Sequence, residues 1–494
     1  MKINKLTQLV LTSTLVFTAS AAIAAPKATV SRDQIEISEL YNADVQKKLD
    51  EQSSKLTSKE YKLAVSKVSD DELKAIIAKY PDAADIKIDS DKVTSIAPIA
   101  AEKSLQKVNI RTDNVTDFSV LGEFDKLSSL SIESSKLNSL KWMSKLERLS
   151  RISIKGGSSL TDLTGLPKIP SLKDVSITHA KPADLSLVAA AFPGLKTVDL
   201  KYSDVADLKP LCALDSLTTV DLYGATVADY GQLETCSKLT KITTYASKTN
   251  DFAALAKIKS LVEINGGLTS LSDVSWVTEL PNLKKFDVFS EKVTDLSPVA
   301  KSTIEDFKVW SMKEDLDLAT LANAKNIKKF TIWGGQKRID NVEKSLETME
   351  NLEKLELTSM INGTPKLDCS FAKNLKKLSE IRLGKFSAVS TAGLESLASL
   401  TKISFNGVHD PLNLAFAENL AGLESLELID VVVENSEALA KSPKLQYVYV
   451  KNAKGFDLEA LKKNPNLKRV TLSKKDFKED QVKGFADGVK VSLN

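Results

Sequence analysis

The chain has 494 residues, of which 42% are hydrophobic and 27% are charged, and its formal net charge is +3. Lysine, glutamate and aspartate are interspersed along the whole sequence, which predicts a soluble surface without a nucleic-acid or anionic-membrane partner. Three cysteines are too few for a small fold that depends on disulfide bonds.

The first 24 residues have the pattern of a secretory signal peptide. Lys2 and Lys5 precede a mostly apolar run, and Ala22-Ile23-Ala24 supplies the small residues of a cleavage site. Cleavage before Ala25 removes two lysines, so the formal net charge falls from +3 to +1. No later stretch approaches the roughly 20 apolar residues that a membrane helix needs. We therefore expect an exported protein, periplasmic or secreted, that does not insert into a membrane.

Residues 25–81 precede the repetitive part of the chain and are predicted to form a helical N-terminal cap. Ser69 and Glu72 have the spacing of a capping box in front of the apolar-periodic segment 73–80. Pro81 is expected to end that helix, because proline cannot continue it.

One sequence frame, L-x-x-L-x-L-x-x-x-x-V-x-D-L-x-x-L, recurs about every 22 residues over 82–487, roughly eighteen times. Each copy begins with a short alternating segment that fits a strand, and continues with apolar residues three apart that fit a tight 3-10 turn. One copy cannot bury its apolar residues alone, so we expect the copies to stack into a solenoid with a parallel sheet on one side and short helices on the other. Residues 488–494 are expected to form a C-terminal capping strand.

Three segments carry the most recognisable motif: VTDFSVL (115–121), VADLKPL (205–211) and VTDLSPV (293–299). In these motifs the chain resembles leucine-rich repeat proteins, in particular the internalin-like class of exported bacterial proteins with repeats of about 22 residues. The resemblance implies a curved α/β solenoid with a parallel β-sheet on its concave face and short 3-10 or irregular helices on its convex face. It also implies that a protein or a glycan binds the concave sheet.

One feature departs from the family pattern. The asparagine expected just after each strand is replaced by Ser203, Ala225, Ser247 and Thr269. The hydrogen-bonded asparagine ladder that the resemblance implies is therefore expected to be weakened, which leaves the loop conformation and the curvature open.

An aromatic stripe is predicted on the sheet. We number each copy from its second position, usually leucine, as zero, so that +3 and +5 point into the core and +2, +4 and +6 face outward. In six consecutive copies the +6 residue is aromatic except at Gly267, in a chain with only 6% aromatic residues. The aromatic residues are Tyr223, Tyr245, Phe289, Trp310 and Trp333. The charged residues around them are Asp221, Asp287, Lys285, Lys308 and Lys329.

We expect this stripe to bind a protein or peptide, because Trp and Tyr dominate binding hot spots and exposed aromatic surface is usually covered. A glycan is the alternative ligand, with sugar faces stacked on Trp310, Trp333 and Phe289. A third interpretation stays open, in which the rings only stabilise one another across strands and the chain is a structural spacer without a specific ligand.

The sequence does not predict an enzyme. The two histidines, His179 and His409, are separated by about ten strands, roughly 50 Å at the usual strand spacing, and cannot share a site. No phosphate-binding loop, dinucleotide-binding motif or zinc-protease motif occurs. We therefore expect a non-enzymatic protein without a cofactor or a bound metal.

The cysteines leave two alternatives. Cys212 and Cys236 lie in the same part of two adjacent copies, close enough for a disulfide bond if their side chains converge. Both also suit the role of a free thiol that packs as a small hydrophobic side chain. Cys369 has no partner in the repeat frame.

Overall fold

The computed structural model describes residues 27–494 except 39–40, 59, 250, 268–270, 311–314, 335–338 and 359–365. The predicted signal peptide and Thr269 lie outside the described residues. No helix in this part of the chain is both long enough and apolar enough to cross a bilayer. The chain forms two compact units, Met1–Leu137 and Asn138–Asn494.

The first unit is a sheet of parallel strands with one antiparallel strand at its edge. Its strands are β1 (Lys27–Val30), β2 (Gln34–Ser38), β3 (Lys62–Ser66), β4 (Asp85–Asp89), β5 (Lys107–Arg111) and β6 (Ser129–Glu133). Its helices are α1 (Ala43–Gln52), α2 (Asp70–Lys79) and three 3-10 helices at Ser53–Lys55, Ala97–Ala101 and Ser119–Glu123. β1 is antiparallel to β2, and β2 to β6 run parallel in chain order.

The segment predicted as a helical cap holds α1 and α2 but also β1, β2 and β3. Because β2 pairs in register with β3, and β3 pairs in register with β4, the sheet begins before the first sequence repeat. The capping box is present at α2. Ser69 Oγ accepts the N–H of Glu72 at 3.4 Å, and the Glu72 carboxylate accepts the N–H of Ser69 at 2.8 Å.

The main sheet of the second unit takes one parallel strand from each successive repeat. These strands are β7 (Arg151–Lys155), β8 (Asp174–Thr178), β9 (Thr197–Asp199), β11 (Thr219–Asp221), β13 (Lys241–Thr243), β14 (Glu263–Gly266), β15 (Lys285–Phe289), β16 (Asp306–Trp310), β18 (Lys329–Trp333), β20 (Lys354–Thr358), β22 (Glu380–Gly384), β24 (Lys402–Asn406), β26 (Ser425–Glu434), β27 (Tyr447–Lys454), β28 (Arg469–Leu472) and β29 (Lys490–Leu493). β29 lies within the predicted C-terminal capping segment.

Shorter elements follow the main strands. Short strands pair as β10 (Asp204–Val205) with β12 (Thr226–Val227), β17 (Leu316–Asp317) with β19 (Ile339–Asp340), β21 (Lys366–Asp368) with β23 (Ala388–Ser390), and β25 (Leu412–Asn413) with the far end of β26. The helices are α3 (Ser186–Ala191), α4 (Ser297–Ala300), α5 (Val342–Leu346) and α6 (Leu458–Leu461), with 3-10 helices at Lys141–Lys145, Lys209–Ala213, Tyr230–Leu233, Ala253–Lys257, Ser275–Glu279, Leu318–Leu321, Cys369–Asn374, Leu394–Ser396, Ala415–Glu418 and Ser436–Lys441.

The register of the main strands follows the sequence repeat. Val198, Val220, Ile242, Ile264 and Phe286, each 22 residues after the last, lie side by side on β9, β11, β13, β14 and β15. All five are at most 1% exposed, as expected for the +3 position. This arrangement confirms the predicted leucine-rich repeat solenoid.

Where a serine stands in place of the asparagine, its hydroxyl group bonds to a neighbouring repeat. Ser247 Oγ donates to the backbone carbonyl of Ala225 at 3.0 Å, and Ser290 Oγ donates to the carbonyl of Leu271 at 2.5 Å. Both serines are fully buried. Buried carbonyl groups between repeats need a donor, and a short hydroxyl side chain supplies it here.

Candidate functional site

The predicted aromatic residues lie on the outward face of the second unit, which we define as the side of its main sheet that carries positions +2, +4 and +6. Phe289, Trp310 and Trp333 are directly opposite one another on β15, β16 and β18. The residue before each of them is fully buried. Strand alternation therefore sends the three rings outward.

Ring contacts join these residues. The centroid of the Trp310 ring lies 5.9 Å from that of Phe289, 5.8 Å from that of Trp333 and 5.8 Å from that of Tyr245. Tyr223 continues the series, 6.4 Å from Tyr245. Neighbouring ring planes cross at angles between 60° and 89°. The rings thus meet edge to face, which aromatic pairs favour.

Gly267 does not interrupt the series, because Tyr245 reaches past it. Tyr245 Oη donates to the backbone carbonyl of Asp287 at 3.3 Å, and its ring contacts Trp310 in the repeat beyond. Gly267 has a φ of +141°, and a Cβ there would lie 1.9 Å from the backbone oxygen of Phe289. Glycine is therefore required at this point, and it leaves the space that the tyrosine uses.

Sequence reasoning missed one member, Tyr202. Its ring lies 5.3 Å from that of Tyr223, and the side chain is 43% exposed. Tyr202 follows position +6 and has a φ of +56°, so the strand alternation no longer applies to it. The ring fills the space beside Gly224, where a Cβ would lie only 2.5 Å from Tyr202 Cδ1. We call the six rings the aromatic row: Tyr202, Tyr223, Tyr245, Phe289, Trp310 and Trp333.

A sequence signal for Tyr202 exists. The buried Ser203 lies eight positions after Leu195, whereas the buried Ser290 lies seven positions after Leu283. The repeats with tyrosine in the row thus carry one additional residue between the strand and this buried small residue, which is Ser203, Ala225 or Ser247. His179, with a φ of +55°, is the corresponding residue one strand earlier, and its ring lies 4.6 Å from that of Tyr202.

Two carboxylates hold the indole groups. Trp310 Nε1 donates to Asp287 Oδ1 at 2.8 Å, and Trp333 Nε1 donates to Glu356 Oε1 at 2.9 Å. Asp287 was predicted as part of the site, whereas Glu356 was not, because its acceptor role depends on the rotamer of Trp333. Both acceptors are carboxylate oxygens, to which hydrogen bonds are stronger than to neutral oxygens.

Three of the other four predicted charged residues form ion pairs across strands. Lys285 pairs with Glu263 at 3.1 Å, and Lys329 pairs with Asp306 at 3.8 Å. Asp221 accepts from Lys201 at 3.0 Å. Exposed pairs of this kind contribute little to stability, but they fix the charge pattern beside the aromatic row.

Glu263 is the most strongly perturbed carboxyl group of this surface. Partial burial raises its pKa, but hydrogen bonds from Asn265, Lys241 and Lys285 outweigh that effect and lower the pKa to about 2. Glu263 is therefore a carboxylate at neutral pH and is neutralised by two lysines.

Lys308 differs from the other lysines near the row. It lies at position +4 of β16, half-buried, in register with Asp287 on one side and Thr331 on the other. In the described part of the chain, its ammonium group takes part in no ion pair within 4.0 Å, whereas Lys201, Lys285 and Lys329 each take part in at least one.

The cysteines and histidines are not members of the aromatic row, although the His179 ring contacts the Tyr202 end of it. Cys212 and Cys236 form a disulfide bond, with their Cα atoms 4.4 Å apart. Cys369 is a buried free thiol. Among the described residues, no group of three or more His, Cys, Asp and Glu side chains is arranged to hold a metal ion.

Several leucine-rich repeat proteins of known structure are similar to this chain. The Toll–Spatzle complex of Drosophila matches with a TM-score of 0.50 and 13% identity, covering 92% of this chain and 63% of that chain. An internalin from Listeria monocytogenes matches with a TM-score of 0.47 and 20% identity over 63% of this chain and 88% of its own. A leucine-rich repeat protein from Leptospira interrogans matches with a TM-score of 0.38 and 15% identity over 78% and 89%.

The chain shares the leucine-rich repeat fold. No protein-family model and no curated protein matches it. At 13% identity, the match to the Toll–Spatzle complex shows the fold alone, and any function has to be argued from the outward face itself.

Proposed function

We propose that the chain is a non-enzymatic binding scaffold whose aromatic row holds a protein or peptide ligand. The observation that carries the proposal is a continuous ring surface whose two ends, Tyr202 and Trp333, are 43% and 46% exposed. Contiguous exposed aromatic surface is unusual unless a partner covers it. Trp and Tyr are also the residues that contribute most to interfaces.

The rings are positioned before a ligand arrives. The indole N–H groups of Trp310 and Trp333 donate hydrogen bonds to carboxylates, and the Tyr245 hydroxyl donates a hydrogen bond to a backbone carbonyl. Immobilising a flexible side chain on binding costs about 0.5–1.5 kcal/mol, and a surface already fixed avoids much of that cost. This preorganisation supports a binding role.

The alternative, in which the rings only stabilise the sheet, accounts for less of the geometry. Cross-strand aromatic pairs contribute about 0.2–1 kcal/mol each, which explains why Trp310 touches three other rings. It does not explain why Trp333, at the end of the row, keeps nearly half of its surface in water. A ligand that covers this end would bury that surface.

A protein ligand fits the ring geometry better than a glycan does. Sugar rings stack on flat aromatic faces, and a glycan chain would need several such faces in a common plane. Neighbouring planes in the aromatic row cross at 60° to 89°. The resulting stepped surface suits side chains of different shapes, which a protein supplies.

We also infer that the protein acts outside the cytoplasm. The predicted signal peptide supports export. The disulfide bond between Cys212 and Cys236 is in keeping with an oxidising compartment. Periplasmic and secreted locations both satisfy these two observations.

The test is an affinity capture from cell-envelope extract and from host-cell lysate, followed by mass spectrometry, with the native chain and the Trp310→Ala/Trp333→Ala variant. The matched control is Tyr447→Ala, which removes a 40% exposed aromatic side chain from the same face at β27, away from the row. Each captured protein is then purified, and its dissociation constant is measured with all three chains.

We expect a partner that binds the native chain and the Tyr447→Ala chain equally and the double variant at least tenfold more weakly, about 1.4 kcal/mol. If every captured protein binds all three chains alike, the row is a structural ladder. Capture of polysaccharide in place of protein would favour the glycan alternative.

A further inference from the structure

The charge of Lys308 affects which class of ligand can bind the aromatic row. It shares β16 with Trp310, two residues apart, so the two side chains emerge on the same face. A ligand that covers Trp310 therefore also removes water from the ammonium group of Lys308. Removing water from an unpaired charge is unfavourable unless the ligand supplies an opposite charge.

The carboxylates near Lys308 are already engaged. One oxygen of Asp287 accepts the indole N–H of Trp310. Asp287 and Lys308 form no ion pair in the described structure, so the carboxylate oxygens of Asp287 lie more than 4.0 Å from the ammonium group of Lys308. Asp306, on the same strand, pairs with Lys329. Glu356 accepts the Trp333 indole and interacts electrostatically with Arg382.

Among the described residues beside the row, Lys308 is thus a cation without a paired anion. Glu263 is balanced by two lysines, and Asp199 and Asp221 share Lys201. These ion pairs can stay in place when a ligand docks, because their partners are within the chain. Lys308 has to find its partner in the ligand.

We propose that the occupant of the aromatic row is a peptide segment that carries an Asp or Glu side chain next to an apolar side chain. Its carboxylate pairs with Lys308 Nζ, and the apolar side chain packs on Trp310. This inference rests on the proposed function and specifies the ligand class for the same site.

The test uses random peptides displayed on phage and selected on the full chain. Enriched peptides are synthesised in an acidic form and in an amide form, with Asn or Gln in place of Asp or Glu. Their affinities are measured for the native chain, for Lys308→Met and for Lys451→Met. Lys451 is the control because it is an exposed lysine at position +6 of β27 that also lacks an ion pair in the described structure.

We expect enriched peptides to contain an acidic residue beside an apolar one. The acid-to-amide change and Lys308→Met should each weaken binding at least about tenfold, since truncating one partner of a buried charge pair is costly. The two changes together should weaken binding little more than either alone, and Lys451→Met should have no effect.

Enrichment of peptides without acidic residues, or undiminished affinity for Lys308→Met, overturns the inference and leaves the proposed function standing. Failure to enrich any peptide also overturns it, because a linear segment is then not the ligand. Only the affinity capture with the Trp310→Ala/Trp333→Ala variant decides whether the proposed function itself fails.

Discussion

Tyr245 and Asp287 are joined by a hydrogen bond that passes over an intervening strand. Tyr245 Oη donates to the backbone carbonyl of Asp287 at 3.3 Å, although β14 separates β13 from β15. The same carboxylate residue accepts the indole N–H of Trp310 through its side chain. Asp287 therefore connects the tyrosines of the aromatic row to its tryptophans through two hydrogen bonds.

The bridge depends on Gly267. We predict that Gly267→Ala lowers the free energy of unfolding of the second unit by about 2–4 kcal/mol, because the new Cβ meets the Phe289 backbone at a φ that alanine avoids. All four tryptophans lie in the second unit, so urea unfolding followed by tryptophan fluorescence reports on it. Gly488→Ala is the control, since its φ is +92° but no atom lies within 4 Å of the added Cβ. Equal losses for the two variants would refute the steric argument.

Removing the indole acceptor should loosen Trp310. We predict that Asp287→Ala lowers the free energy of unfolding by about 1.5–3 kcal/mol, the range for a hydrogen bond to a charged group. Tryptophan emission should also shift to longer wavelength as the indole becomes more hydrated. Asp287→Asn keeps an acceptor oxygen and should retain most of the native stability. If the Asn variant behaves as the Ala variant does, the carboxylate is not holding the ring.

The disulfide bond should stabilise the second unit measurably. Cys212 and Cys236 are 24 residues apart, and closing a loop of that size stabilises a fold by about 3 kcal/mol in the chain-entropy model. Reductant should therefore lower the unfolding midpoint of the native chain and leave a Cys212→Ser/Cys236→Ser variant unaffected. Mass spectrometry under non-reducing conditions should find one disulfide and one thiol, Cys369. Three free thiols would contradict the bond.

Unit one should lose stability as the pH rises. Burial raises the pKa of Glu102 from 4.5 to about 7, with a smaller contribution from the charge of Asp82, against a hydrogen bond from the N–H of Ala83. The unfolded chain releases this proton near pH 4.5, whereas the folded chain holds it until about 7. The stabilisation is complete below pH 4.5 and is lost between about 4.5 and 7, by about 3 kcal/mol.

The measurement for Glu102 is hydrogen exchange of the β4 and β5 amides across that pH range, corrected for the intrinsic rate. Glu102→Gln cannot ionise, so its opening free energy should stay flat where that of the native chain falls. Parallel profiles for the two chains would mean that another group is responsible.

The sequence predicts the solenoid and much of the aromatic row because residues at the same position of successive repeats lie side by side in the sheet. Once Leu283 is set as zero, Phe286 belongs to the core and Phe289 to the outward face, and the structure agrees for both. The same reasoning fails where the backbone leaves the strand. The outward position of Tyr202 was not predicted, because its backbone is in the left-handed region and its side chain no longer follows the alternation of the strand.

Other features depend on side-chain conformation or lie outside the repeat. Glu356 looks like any surface acid until the Trp333 rotamer brings an N–H to it. β2 and β3 precede the first repeat, so no frame points to them, and each is only five residues long. Among the described residues Lys308 has no ion-pair partner, and this too depends on distances that spacing along the chain does not give.

Large rings occupy both faces of three strands, β15, β16 and β18. Beneath the row, Phe286, Phe307 and Phe330 stack in the core with centroids 5.9 Å apart. These strands thus lie between an inner and an outer layer of aromatic side chains. Their backbone should therefore resist bending more than the backbone of the strands on either side. A partner would meet a stiff surface that does not have to reorganise, so its association rate should be set by diffusion and orientation, and affinity differences among partners should appear mainly in how slowly they leave.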